Sequence, residues 1–201
     1  MSTLNDREIF EAHKNGELTI EPWNGANVQP GSIDLTLGDE IDVFDCPQKI
    51  DLGSDLKDIF KSYTKTEQTD GYELLPGKCV VGHSAEYIRL PLYINGAIFN
   101  RNSLARIGLD AGISQYINPG YHGNKIIVLR NNGTLPIVLK SGIRICQLVL
   151  FRMGSESARS FDSRHDLDLI KEIAGKADNS GYDNSISAFM SKRIAEIAGG
   201  R

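Results

Sequence analysis

Two arginines bracket a short polar run, Arg101-Asn102-Ser103-Leu104-Ala105-Arg106. Paired guanidiniums beside a hydroxyl, an amide and backbone donors suit a polyphosphate, because each guanidinium offers a planar fork of N–H groups that matches phosphate oxygens. On residue types alone, a structural ion pair between one arginine and a carboxylate ranks ahead of that reading. A second run, Asn118-Pro119-Gly120-Tyr121, combines a turn with an amide and an aromatic ring. Asn118 can hydrogen-bond a hydroxyl, but an amide takes no proton near neutral pH and cannot act as a general base. Tyr121 can pack against a sugar or fill a core. Gln147, in Ile145-Cys146-Gln147-Leu148, reads by residue type as an exposed polar position on a strand. Zinc chemistry finds no support. His13, His83, His122 and His165 begin no H-x-E motif, and Cys46, Cys79 and Cys146 form no C-x-x-C pair. Three widely spaced cysteines also argue against a disulfide framework, and Cys79 and Cys146 read as small buried residues in apolar runs.

The elements that must position these groups follow from periodicity. Residues 5–16 read as a helix, with Asn5 and Glu8 in capping-box spacing and Gly16 as its stop. From Ser32 the period changes to two: Ile33, Leu35 and Leu37 alternate with Asp34, Thr36 and Gly38, and Ile41 to Phe44 resume after an expected turn. Residues 51–71 are expected to hold a short helix or excursion around Leu56, Ile59 and Phe60. Strand segments are expected at 72–75, 79–83, 87–90, 97–99, 126–129, 137–139 and 143–151. Turn pairs such as Pro76-Gly77, Asn132-Gly133 and Ser141-Gly142 lie between them. Many short strands at this spacing indicate a β-sandwich or barrel. After Met153 the composition shifts. Helices are expected at Asp162–Ala174 and from Ser185 onward, the second with a stripe of Ile186, Phe189, Met190, Ile194 and Ile197. The division is therefore a β domain over 1–153 and a helical extension over 154–201, read as a lid or an oligomer contact.

Bulk properties limit the partners. With 22 basic and 26 acidic residues the net charge is −4, which argues against broad nucleic-acid binding. No apolar run approaches the ~20 residues needed to span a bilayer. The N-terminus lacks a basic-then-apolar signal pattern, so a cytoplasmic location is expected.

Several segments, in order and at proper spacing, resemble the dCTP deaminase/dUTPase family over roughly residues 4–153, and the dCTP deaminases more than the short dUTPases. Gly31 to Phe44 fits the deaminase layout. RNSLARIGL is similar to the family's Arg-Ser-Ser-Leu-(Gly/Ala)-Arg-x-Gly, NPGYHG to its Asp-Pro-Gly-(aromatic)-x-Gly, and GTLPIVLKSGIRICQL to its segment ending in Gln-Leu. The resemblance implies an all-β distorted jelly-roll (the β-clip of the dUTPase type) with a short N-terminal helix and C-terminal helices. It implies a homotrimer or hexamer with sites between subunits. The ligand would be a deoxynucleoside triphosphate with Mg2+ held mainly by its phosphates, and no zinc.

Residue by residue, the resemblance puts phosphate binding ahead for Arg101 and Arg106 and aligns Ser103 with the family's second serine. Asn102 stands where the first serine helps polarise the base and the attacking water. Gln147 stands where the dUTPase branch keeps a glutamine near a phosphate, and Tyr121 takes the aromatic place. Asn118 replaces an aspartate that orients water or places the sugar. Val128, ten residues on, replaces the glutamate that shuttles protons between water and the cytosine amino group. Valine can do neither part of that work. Asp110 and His122 are the nearby titratable residues, and neither occupies the position that faces the base. Lys176, Tyr182 and Ser185 give a faint echo of the deaminase tail. The leading expectation is therefore deoxynucleotide binding without ordinary deaminase chemistry, for sensing, sequestration or regulation. Against it stand an active dCTP deaminase with a displaced acid/base residue, a dUTPase-type pyrophosphatase, and a structural trimer without ligand.

Overall fold

The computed structural model describes residues 2–157 apart from 48, 52, 54, 55, 114 and 115. In chain order the elements are β1 (Ser2–Thr3), α1 (Asp6–Lys14), β2 (Thr19–Glu21), β3 (Val28–Gln29), β4 (Ser32–Phe44), α2 (Leu56–Tyr63), β5 (Thr64–Gln68), β6 (Glu73–Leu74), β7 (Cys79–Arg89), β8 (Ile94–Asn100), α3 (Asn102–Ala105), β9 (Leu109–Asp110), β10 (Tyr116–Ile117), β11 (His122–Asn131), β12 (Ile137–Val138) and β13 (Arg144–Arg152). The main sheet runs β10-β8-β13-β4-β7-β11-β9, and its neighbours pair antiparallel. It curls on itself. Asn100, at the end of β8, donates from Nδ2 to Asp110 Oδ1 of β9 at 2.9 Å, so strands near opposite ends of the path meet. Inside the curl, Ile33, Leu35, Leu37, Ile41, Val80, Ile88, Ile127, Leu129, Leu148 and Leu150 form one buried core. This is the all-β fold that the short alternating segments predict.

The N-terminal helix forms for the reason its sequence gives. Asn5 Oδ1 accepts from the Glu8 amide at 3.1 Å, and Glu8 Oε2 accepts from the Asn5 amide at 2.9 Å. The two otherwise unpaired donors of the first turn are thus satisfied reciprocally. Ile9 and Ala12 are buried in the common core. Asn5→Ala is expected to cost about 1 kcal/mol, read as a lower urea midpoint with an unchanged slope. An unchanged midpoint would show that the box contributes nothing.

Three expectations are corrected. β4 has no turn after Gly38: it runs unbroken from Ser32 to Phe44, and an irregularity between Leu37 and Ile41 absorbs the break in pattern. The expected segments 79–83 and 87–90 are one strand, β7, whose register against β11 shifts between Asn124 and Ile126. These two bulges open an outward cleft of about 360 Å³ lined by Gly38, Asp39, His83 and Asn124 among others. Cys79 is exposed, not buried, because it lies on the outward face of β7, whereas Cys146 is buried as expected. The expected helices beyond residue 157 lie outside the described residues.

Candidate functional site

The phosphate-type residues sit where β8 ends. The chain leaves Asn100 and turns at Arg101, whose carbonyl accepts from the Leu104 and Ala105 amides at 3.0 Å each, and so opens the single turn of α3. The Arg101 guanidinium lies back against β4: Nε is 3.5 Å from Asp34 Oδ1, and Nη1 donates to the Arg144 carbonyl at 3.1 Å. Asp34 is 1% exposed, and its other oxygen lies 3.2 Å from Arg144 Nη1. A buried carboxylate is tolerated only when paired, and two guanidiniums face this one. Gln147 is directly across from Asp34 in the β13–β4 register, on the same face, and its Nε2 reaches Ser32 Oγ at 3.5 Å.

The structure thus brings Arg101 and Gln147 together and adds Asp34, Arg144 and Ser32, which the sequence reading had not singled out as site residues. A signal existed for Asp34, since Ser32, Asp34 and Thr36 form the polar set of an otherwise apolar alternating strand. Nothing local marked Arg144 as its partner. Arg101 makes the structural ion pair that residue types favoured, while its side chain keeps 23% exposure. Asn102, Ser103 and Arg106 follow on the exposed surface of α3 and just beyond it. Asn102, Ser103 and Arg106 thus present an amide, a hydroxyl and a guanidinium to solvent beside the half-buried Arg101.

The second group lies elsewhere. β10 pairs β8 at Tyr116↔Ala97 and Ile117↔Gly96, so Asn118 stands beyond the Gly96 end of the strand that Arg101 closes. At about 3.3 Å per residue the two are separated by roughly 20 Å along β8. The turn is held by Gly120, with φ of 75°, whose amide donates to the Pro91 carbonyl at 3.2 Å. Asn118 is half-buried. Tyr121 is 2% exposed, and its hydroxyl donates to the Asn124 carbonyl at 2.9 Å. Its ring is part of the core within this chain, the plainer of its two readings.

Val128 sits on the outward face of β11, half-buried and directly across from Val81. Ile126 and Arg130 flank it on that face, by the alternation of the strand. Two carboxylates are nearby in the register, and each accepts hydrogen bonds through one oxygen. Asp42, across β7 from Val128, accepts from Thr66 Oγ1 at 2.7 Å. Asp110, paired with Arg130, accepts from Asn100 Nδ2 and from the Gly112 amide at 2.8 Å. His122 is half-buried at the start of β11 and engaged. Lys176 and Tyr182 lie outside the described residues.

One other buried carboxylate is structural. Glu86 accepts from the Thr36 amide at 2.9 Å and from its hydroxyl at 2.7 Å. Burial, with Glu86 and Asp34 nearby, pushes the Cys146 thiol up to about 12, so it stays protonated and inert at neutral pH. Among the described residues no three of His, Cys, Asp and Glu gather to hold a metal ion. None of the described helices is long and apolar enough to cross a membrane.

Comparison with known proteins adds a family. A model described as dCTP deaminase-like matches residues 3–153. The chain is 31% identical over 166 residues to a "dCTP deaminase, dUMP-forming" of Aquifex aeolicus, covering 81% of this chain and 88% of that protein. It is 36% identical over 167 residues to a protein of the same description from Nanoarchaeum equitans, covering 75% and 84%. In fold it is similar to the crystal structure of 2'-deoxycytidine 5'-triphosphate deaminase from Agrobacterium tumefaciens, with a TM-score of 0.60 at 21% identity. That match covers 85% of this chain, which spans about half the length of that protein's chain (53%).

Proposed function

This chain belongs to the dCTP deaminase-like family, and from that premise we propose that it binds a deoxynucleoside triphosphate without carrying out the family's ordinary deamination. The observation that carries the reading is the setting of Val128. It is paired with Val81, and the carboxylates nearest in the register, Asp42 and Asp110, stand on other strand positions, each with one oxygen taken up by structural hydrogen bonds. Deamination needs a group that activates water and then protonates the leaving amine. Arg101, Asn102, Ser103, Arg106 and Gln147 are the residues that would hold the triphosphate. Asn118 would hydrogen-bond the sugar, as an amide can. Asn102 in place of serine alters the donor and acceptor geometry offered to a base.

Magnesium would arrive with the phosphates. Asp34, the carboxylate among the phosphate-type groups, is faced by two guanidiniums and does not make a cage for a cation. The separation of Arg101 from Asn118 along β8 fits a pocket completed by a second copy of the chain, in a homotrimer or hexamer. The work of such a protein would be sensing, sequestration or regulation of the nucleotide pool inside the cytoplasm.

One observation favours a second reading, an active enzyme releasing dUMP: relatives described as dUMP-forming dCTP deaminases align along most of their own length. Incubating each common deoxynucleotide with an equal concentration of protein and magnesium, followed by mass-resolved chromatography, separates the two. The expected result is that dCTP and dUTP return unchanged while a triphosphate raises the melting temperature. Conversion of dCTP to dUTP or dUMP would overturn the binding-only reading, and cleavage of dUTP alone would move the chain to the pyrophosphatase branch.

A further inference from the structure

Of the side chains proposed to meet the triphosphate, all but Gln147 on β13 lie in one short segment, residues 101–109. Among the described residues the side chains of Asn102, Ser103 and Arg106 make no hydrogen bond, so their placement depends on the ends of that loop. The two ends are joined. Asn100 Nδ2 donates to Asp110 Oδ1 at 2.9 Å, Asn100 Oδ1 accepts from the Ala111 amide at 2.7 Å, and Asp110 Oδ1 also accepts from the Gly112 amide at 2.8 Å. Each end is fixed in turn by a strand: Asn100 pairs with Cys146 on β13, and Asp110 with Arg130 on β11. The loop is also pinned where it returns. Gly108 has φ of 87° and packs so tightly that a Cβ there would lie 2.4 Å from the Gly133 amide nitrogen.

We propose that Asn100 and Asp110 form a clasp that pre-orders the loop 101–109, so that Asp110 is a positioning residue for triphosphate binding. The inference rests on the nucleotide-binding reading given above. The physical reason is that a loop with joined ends keeps its exposed donors in one arrangement before the ligand arrives, and the cost of ordering them is not charged against binding. It also gives Asp110 a role other than acid/base chemistry, since its hydrogen-bonded oxygen serves two donors. The geometry requires an acceptor at that oxygen and no charge, because both donors, an amide nitrogen of Asn100 and a backbone N–H, are neutral.

Asp110→Ala and Asp110→Asn separate these statements. Asparagine keeps an acceptor oxygen, and alanine keeps none. Titration calorimetry with dCTP and dCMP is expected to show dCTP binding roughly tenfold weaker in Asp110→Ala, dCMP binding much less affected, and Asp110→Asn close to the unaltered protein. Hydrogen exchange of the 102–108 amides in the ligand-free proteins should speed up in Asp110→Ala only. The clasp is overturned if Asp110→Ala binds dCTP as well as the unaltered protein does, if both ligands weaken equally, or if Asp110→Asn falls as far as alanine. If the unaltered protein binds neither nucleotide, the nucleotide-binding reading fails. Exchange then decides the clasp alone: faster exchange in Asp110→Ala supports it, and equal exchange removes it.

Discussion

Asp34→Ala should unfold at a markedly lower denaturant concentration than the unaltered protein, with a loss of about 3 kcal/mol, the lower end of what breaking a buried ion pair costs. The carboxylate is 1% exposed and stands between Arg101 and Arg144. Removing it leaves the Arg101 guanidinium, which is 23% exposed, with no counter-charge and only the Arg144 carbonyl as an acceptor. Arg144 is 45% exposed and can turn to solvent, so it moderates the loss and adds no separate contribution. The same change frees Arg101 from its seat, and nucleotide binding should fall with stability. Asp34→Asn keeps one acceptor oxygen and loses the charge, so it should lie between the two. A guanidinium chloride series with the slope held constant checks this. A shift of under about 1 kcal/mol would show that the pair is surface-like in its energetics despite its burial.

Val128→Glu should make dCTP deamination detectable where the unaltered protein shows none, a gain of at least on the order of 10²-fold over the assay background, the lower end of what a placed acid/base group contributes. Val128 is half-buried and outward-facing, so a glutamate there would have its stem against Val81 and Ile126 and its carboxyl toward solvent or a second chain. The assay is product mass after incubation at equal protein and dCTP concentration. Appearance of uracil nucleotide with the variant alone would identify an inherited deaminase pocket lacking its proton shuttle. No product from either protein would mean that the surrounding geometry, including Asn102 and Asn118, has diverged toward another ligand.

The fold was legible because its signals are local. The Asn5–Glu8 box, the alternation from Ser32 to Leu37, and the turn glycines each act within a few residues. The bulges were not legible, because they arise from how β4, β7 and β11 share register, which no single strand encodes. They turned an expected turn into one long strand and two expected strands into another. The site was legible in part. Arg101 and Gln147 stand out through the family resemblance, while residue types alone favour an ion pair for Arg101 and leave its partner unnamed. Asp34 and Arg144 are 110 residues apart and meet through the β4–β13 pairing. Asp110 was weighed as an acid or base, yet its role depends on Asn100, which has no chemical signature of its own in the sequence. Tyr121 shows the same limit, since an aromatic after a Pro-Gly turn reads alike whether it faces a ligand or a core.

β8 leads into the arginine turn at one end and is paired by β10, which leads into the amide turn, near the other, and that arrangement has a genetic meaning. If each pocket takes one end from one chain and the other end from its neighbour, two damaged alleles can repair one another. A chain spoiled at Arg101 still supplies a sound Asn118 end, and a chain spoiled at Asn118 still supplies a sound Arg101 end. Some pockets in their mixed assemblies would then be whole. Alleles of this protein would then fall into two complementing groups, divided by which of the two turns flanking β8 they injure.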